Sequence, residues 1–185
     1  MVLLGAVIKY VLDNDLYFHD YVVNYTNAAS IISPDFKDTE DLEGLFSGYD
    51  AEKGKYVTDS WQYVRKPEGS SWNVEKDMTL EDPNTVFQIL KRHYSRYTPE
   101  MVEETCGISP EDFYYLADSI AQNSNPERTT CFAYALGFTQ HTLGAQFIRT
   151  AAILQLLMGN VGRPGSGIMA LRGHASIQGS TDIPT

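Results

Sequence analysis

Cysteine is nearly absent: the 185 residues hold two, Cys106 and Cys131. So distant a pair makes no C-x-x-C motif, no four-thiolate site and no disulfide framework. Positive charge is also short, with 14 Lys and Arg against 24 Asp and Glu and a formal net charge of -10. That balance argues against a general binder of nucleic acid or of an anionic membrane. No apolar run approaches the roughly 20 residues that a bilayer-spanning helix needs. The opening MVLLGAVIKY has no basic flank and no small-residue cleavage signal, so it does not read as a secretory leader. What is present is globular: 43% hydrophobic and 12% aromatic residues, in a chain long enough for one domain with a core.

The charge is unevenly placed. Residues 1–125 carry ten Lys and Arg against 22 Asp and Glu, whereas residues 126–185 carry Arg128, Arg149, Arg163 and Arg172 against Glu127 and Asp182. Most glycines also gather in that last third. A local anion site is one reading of this, and a chance scatter of four arginines is the other.

Leu3, Leu4, Val7, Ile8 and Val11 recur at helical spacing and predict an amphipathic helix over 2–12. Asn14 or Asp15 is placed to cap a second short helix containing Leu16, Phe18 and Tyr21. Tyr21 to Ile32 is mixed and β-branched in patches and reads as strand or loop, so residues 1–32 hold the N-terminal helices of the α/β domain followed by that ambiguous stretch. Residues 33–83, punctuated by glycine and proline, predict a long irregular polar insertion, with a hairpin around Glu52-Lys53-Gly54-Lys55 flanked by Tyr49 and Tyr56. Such an insertion either carries function or is a surface cover packed by Phe46, Trp61, Trp72 and the tyrosines. Residues 84–125 return to helix. Val86, Phe87, Leu90 and Tyr94 form a stripe. Thr98-Pro99 and Ser109-Pro110 are two N-cap and first-turn signals, and Gly107 suits the exit between them, which predicts a helical hairpin. Asp112 completes a weak capping box with Ser109.

Residues 126–185 bear the chemistry. Thr130 to Leu136 is a short apolar run suited to a buried parallel strand, closed by Gly137. A helix is expected from about Thr142 to Met158, burying Phe147, Ile148, Ala151, Ala152, Leu154, Leu156 and Leu157, and ended by Gly159 and Asn160. The tail from Val161 to Thr185 reads as loop-rich and holds five glycines. Strand, tight turn and helix make one half of a nucleotide-binding unit, and open α/β sheets bind ligands at the carboxyl edge of the strands. Thr139 and Gln140 fall on that lip, where a hydroxyl and an amide can bond phosphate oxygens or a heterocycle. No Walker-type lysine and no G-x-G-x-x-G motif accompanies them. Farther on, Arg172 supplies a forked cation suited to a carboxylate or phosphate, with His174, Ser176 and Gln178 nearby in sequence. His19 and His93 read as solvated or helix-end residues, and His141 as support for the loop or as a ligand contact. The acidic run Asp38, Glu40, Asp41, Glu43 lacks a glycine-centred calcium loop and reads as solvated charge. Cys106 and Cys131 read as small hydrophobes.

Three ordered motifs, G-F-T-Q-H-T-x-G from Gly137, L-x-G-N-V-G-R-P-G-S-G from Leu157 and L-R-G-H-A-S-x-Q-G-S-T-D from Leu171, resemble the catalytic subunit of the molybdopterin-dependent formate dehydrogenases, within the DMSO-reductase superfamily. Tyr97-Thr-Pro-Glu and Gly44-Leu-Phe-Ser-Gly-Tyr-Asp-Ala-Glu-Lys resemble the long respiratory-type subunits of the same family. The resemblance covers nearly the whole chain, and the family's catalytic subunit is several times longer. It implies an internal piece of an α/β, three-layer, nucleotide-binding-like domain that builds part of the cofactor cleft.

The resemblance also implies roles. Arg172 matches the active-site arginine that orients formate, and His174 a position near the pterin and the pocket. Gly137, Thr139 and Gln140 match the turn lying against the guanine dinucleotide of the cofactor. Gly173, Gln178 and Gly179 match loops that wall the pocket, and Ser176 replaces an asparagine common there. The cofactor implied is molybdopterin guanine dinucleotide carrying molybdenum or tungsten, with an iron–sulfur cluster bound outside these residues. The partners implied are formate, the rest of the catalytic subunit and an iron–sulfur electron-transfer subunit. Relatives work in the periplasm or the cytoplasm. The family's metal ligand, a cysteine or selenocysteine followed by histidine, matches neither Cys106-Gly107 nor Cys131-Phe132, and the four cluster cysteines are missing. No metal ligand is therefore expected in this chain, and the fragment alone is expected to be inactive. Two rival readings are a sibling molybdopterin oxidoreductase with another substrate, and a non-catalytic scaffold or docking module.

Overall fold

A computed structural model describes residues 1–67 and 73–171. In chain order the helices and strands are α1 (Val2–Asp13), α2 (His19–Tyr25), β1 (Tyr49–Asp50), β2 (Lys55–Tyr56), α3 (Val86–Tyr94), α4 (Pro99–Cys106), α5 (Pro110–Gln122), β3 (Cys131–Tyr134), α6 (Leu136–Thr139), α7 (Gly144–Leu157) and β4 (Gly167–Ala170). Two 3-10 turns, Thr39–Leu42 and Thr58–Trp61, are added to these. The chain divides into two compact units, Met1–Phe18 with the chain from Tyr97 onward, and His19–Arg96.

In the first unit, α1 buries the face that the sequence predicts, Ala6, Val7, Ile8, Val11 and Leu12, and packs on α4, α5 and α7. Gly5 lies on the same helix because the ring of Tyr97 comes within 2.8 Å of where a Cβ would stand. The helical hairpin forms as its caps dictate. Thr98 accepts from the Met101 N–H, Ser109 accepts from the Asp112 N–H, and Gly107 takes a left-handed φ of 69° between α4 and α5. The capping box is modified: the Asp112 carboxylate accepts from the Ser109 hydroxyl at 2.8 Å rather than from its backbone. Asn14 is a correction. It closes the C-terminus of α1, donating to the Tyr10 carbonyl from both its backbone and its side chain, and α2 starts only at His19. The backbone at Asp15 turns left-handed, with φ 52°, which breaks the path between the two helices.

The same unit contains a β–α–β crossover. β3 and β4 run parallel, with Cys131 opposite Gly167 and Tyr134 opposite Ala170, joined through α7 in the manner parallel strands require. Two expectations change here. The tail predicted to be loop-rich contains a strand at residues 167–170, and four left-handed glycines (Gly159, Gly162, Gly165 and Gly167) carry the chain back to it. β3 was expected to be buried, yet its residues alternate exposed and half-buried. Among the described residues the sheet has two strands and α7 packs along β4, so Cys131 and Ala133 stay open. Cys131 and Cys106, read as small hydrophobes, are both exposed. On α7, Ala151, Leu154 and Leu157 are buried, while Phe147, Ile148, Ala152 and Leu156 are half-buried.

The second unit is built around short antiparallel bridges that tie residues 30–32 to Tyr63, Lys76 and Thr85, with Arg65 bridged to Val74. The expected hairpin is present as β1 and β2, with Tyr49 directly opposite Tyr56 and their rings 5.2 Å apart. Phe46 and Trp61 also approach the Tyr56 ring, while Trp72 lies outside the described residues. Tyr21–Tyr25, ambiguous in sequence, belongs to α2. Asp77 organises one turn by accepting from the Thr79 hydroxyl at 2.6 Å and from the N–H groups of Glu81 and Asp82 at 2.8 Å. His93 is more than a solvated helix end. Its Nδ1 lies 3.1 Å from the Asp38 carboxylate, and Arg96 bridges Asp38 and Glu40. Burial alone would push the Asp38 carboxyl up, but the bonds from His93 and from the Thr39 N–H hold it below the ordinary value. Part of the acidic run is therefore paired rather than free.

Candidate functional site

Both strands of the crossover leave the sheet at one edge. Tyr134 ends β3 opposite Ala170, and the next residue, Leu171, still donates its N–H to the Tyr134 carbonyl at 2.7 Å. The backbone bends sharply at Ala135 (φ -144°, ψ -136°) into the single turn of α6. Gln140 closes that turn by donating its N–H to Leu136 at 2.9 Å, and Gly144 then opens α7. The fit of turn to helix explains the last glycine of the motif: a Cβ at Gly144 would lie 2.5 Å from the Thr139 carbonyl and 2.8 Å from that of Phe138.

Aromatic stacking fixes this lip. Tyr134 stacks on Phe138 at 5.8 Å, Phe138 meets Phe147 edge-on at 6.2 Å, and His141 does the same at 5.2 Å. The contact of His141 with Phe147 gives it a part in supporting the loop. The polar groups between these anchors face outward. Gly137, Thr139 and Gln140 are exposed, and space is open where a Cβ of Gly137 would stand. The Thr139 hydroxyl makes one long contact, 3.5 Å to Ala135, and the Gln140 side-chain amide bonds to no described residue. No acidic residue occupies the first turn of α7, and no side chain caps it, so its positive dipole end is not offset there. The lip offers neutral donors and acceptors on a rigid support.

The basic character of the last third is not concentrated at this lip. Arg163 is structural: its guanidinium donates to the carbonyls of Asn125 at 2.9 Å, Pro126 at 2.6 Å and Gly159 at 3.3 Å, and lies over the Phe18 ring. Arg128 and Arg149 are exposed and bond to neighbours on their own segments. Arg172, Gly173, His174, Gln178 and Gly179 lie outside the described residues. Among the described residues no group of three or more His, Cys, Asp or Glu is arranged to hold a metal, and no helix is long and apolar enough to cross a membrane.

The opposite edge holds residues that sequence reasoning missed. Gln155 and Asn160 are fully buried. The Gln155 amide donates to the carbonyls of Thr130 at 2.9 Å and Gly167 at 2.7 Å. The Asn160 amide lies 2.9 Å from the hydroxyls of Ser124 and Thr130 and from the Gln155 side-chain oxygen. The available signal was the pair of amides at 155 and 160, set at the end of an otherwise apolar run.

Comparison with known proteins fixes the setting. The chain is 49% identical over 180 residues, 97% of its length, to the major subunit of the nitrate-inducible formate dehydrogenase of Escherichia coli K12. It is 47% identical over the same share to the formate dehydrogenase major subunit of Haemophilus influenzae. The chain belongs to the formate dehydrogenase major-subunit family. It is also 42% identical over 179 residues to the alpha subunit of formate dehydrogenase 2 (cytochrome c-553) of Nitratidesulfovibrio vulgaris. The chain spans 17% of the length of each of these curated relatives, so it corresponds to one segment of a formate dehydrogenase major subunit. No protein-family model matches it. The family resemblance carried by the three motifs is therefore correct, and so is the mixed α/β class.

Proposed function

We propose that this segment forms one wall of the cofactor and substrate cleft of a formate dehydrogenase. The carrying observation is that the exposed Thr139–Gln140 lip and the chain entering the L-R-G-H motif leave the sheet at the same edge, in a sequence 49% identical to a formate dehydrogenase major subunit. The full-length protein oxidises formate to carbon dioxide, releasing one proton and two electrons, which pass to iron–sulfur centres. When bound, a molybdenum or tungsten bis-pterin guanine dinucleotide supplies the two-electron acceptor. The residues present suit the dinucleotide end of that group. They give a hydroxyl and an amide without strong protein partners, a glycine with open space in place of a Cβ, and a helix start free of acidic side chains.

In this reading Thr139 and Gln140 bond the guanine dinucleotide beside Gly137. Gly173, Gln178 and Gly179 complete the wall. Arg172 binds the formate carboxylate through two parallel N–H groups, which fixes the C–H bond in one direction and removes much of the orientational cost of the step. His174, two residues on, lines the same pocket. The 185 residues alone are inactive, because they hold neither the cysteine- or selenocysteine-histidine pair that ligates the metal nor the cluster cysteines.

The test is formate-dependent dye reduction by the full-length protein carrying this segment, with molybdenum and tungsten content measured in parallel. Arg172→Ala is expected to lower kcat/KM for formate by about 100-fold or more with metal content retained. Turnover of another small substrate with no formate activity would move the protein to a sibling oxidoreductase. A preparation with no pterin and no metal would leave a scaffold.

A further inference from the structure

We infer that Gln155, held in place by Asn160, is a positioning residue: it locks the register of β3 against β4 and thereby sets where Leu171 leaves the sheet at the edge that carries the Thr139–Gln140 lip. Each strand is four residues long, and so short a parallel ladder specifies register weakly on its own. Gln155 supplies what the ladder lacks. Its one amide nitrogen reaches the carbonyl of Thr130, just before β3, and the carbonyl of Gly167, the first residue of β4, and the residue after Thr130 is the register partner of Gly167. A slip of one residue would break one of these two bonds. It would also move β4 by about 3.3 Å along its axis.

The bridge is itself rigid. Gln155 accepts from the Asn160 side chain at 2.9 Å, the Asn160 N–H returns to the Gln155 carbonyl at 2.7 Å, and the Asn160 side-chain oxygen takes the Thr130 N–H at 3.3 Å. Nothing here touches the exposed lip, so neither residue is catalytic. The effect passes along the two strands to their carboxyl ends, where Leu171 is still bonded to Tyr134. A displacement of an ångström or more at a bidentate substrate contact costs on the order of 100-fold in rate.

The activity arm of this inference rests on the formate reading above, and the structural arm does not. The experiment places Gln155→Leu and Gln155→Glu separately in the full-length protein. Hydrogen exchange is read on the peptide covering 167–171, alongside formate kinetics and metal content. In Gln155→Leu, which removes both donors at similar volume, exchange at Leu171 should rise at least tenfold. kcat/KM for formate should fall ten- to 100-fold, with metal content unchanged. Gln155→Glu keeps the shape. Its carboxyl can donate to a carbonyl only while protonated, so its deficit relative to wild type should grow as pH rises through its titration, while the deficit of Gln155→Leu should not depend on pH. A merely space-filling role would give no such pH profile. Unchanged exchange in both variants overturns the register lock whatever the substrate. Raised exchange with unchanged formate kinetics overturns its link to the site. Raised exchange in a protein whose wild type does not turn over formate supports the lock and removes the formate reading.

Discussion

The two ends of the β3–β4 pair are built to opposite rules. At the amino end the network is closed: buried Gln155, Asn160 and Ser124 and half-buried Thr130 satisfy one another and the strand carbonyls. At the carboxyl end Thr139 and Gln140 stand exposed on a turn held from beneath by rings and by Gly144. Buried polar networks are rigid when complete and costly when broken. Exposed groups on a rigid support cost little to leave unpaired and are available to a ligand. One end of the sheet therefore serves stability, the role proposed for the other is recognition, and substitutions at the two ends should separate those quantities.

The largest expected effect on stability comes from breaking the closed end. Asn160→Ala removes the hub of the network and leaves the Thr130 N–H and neighbouring groups buried without partners. A loss of about 2–4 kcal/mol is expected in denaturant unfolding. Gly144→Ala attacks the seam between the two ends. Its methyl group must displace the Thr139 and Phe138 carbonyls, at about 1–3 kcal/mol, and it should distort the lip, so bound dinucleotide should fall along with Tm.

A third substitution extends the contrast to the His19–Arg96 unit. Asp77 accepts from the Thr79 hydroxyl and from the Asp82, Thr79 and Glu81 N–H groups, and these bonds hold its carboxyl at about 2, below the ordinary 3.8. A carboxyl lowered in the folded state adds stability that is complete above the unfolded value and disappears as pH falls through the folded one. Asp77→Asn should therefore cost about 1 kcal/mol at neutral pH. The difference in Tm from wild type should stay level down to about pH 5 and close between pH 4 and 2. The smallest effect on stability belongs to the open end: Gln140→Ala should change unfolding by less than about 0.5 kcal/mol, yet weaken retention of the dinucleotide.

Local signals were legible in the sequence. Thr98, Gly107 and Ser109 act within one helical turn of themselves, and the Tyr49–Tyr56 pairing follows from the turn between them, so each could be placed without tertiary knowledge. The lip was legible for the same reason, since strand, glycine and helix are contiguous. Long-range pairing was not. β4 is a strand because β3 lies beside it, and its four residues have no periodicity of their own. Gln155 looks like an interruption of an apolar helix until the carbonyls of Thr130 and Gly167 are placed around it. His93 looks solvated until Asp38, 55 positions earlier, folds against it. Asn14 and Asp15 could cap in either direction, and the left-handed backbone at Asp15 decided for the helix before them.

The most direct measurement is the pterin-guanine dinucleotide and metal content of the full-length protein carrying Thr139→Val together with Gln140→Ala, beside its unfolding curve. A several-fold loss of bound cofactor is expected, with unfolding unchanged within about 0.5 kcal/mol. Full cofactor content in that variant would contradict it, because the exposed carboxyl edge of β3 would then hold nothing.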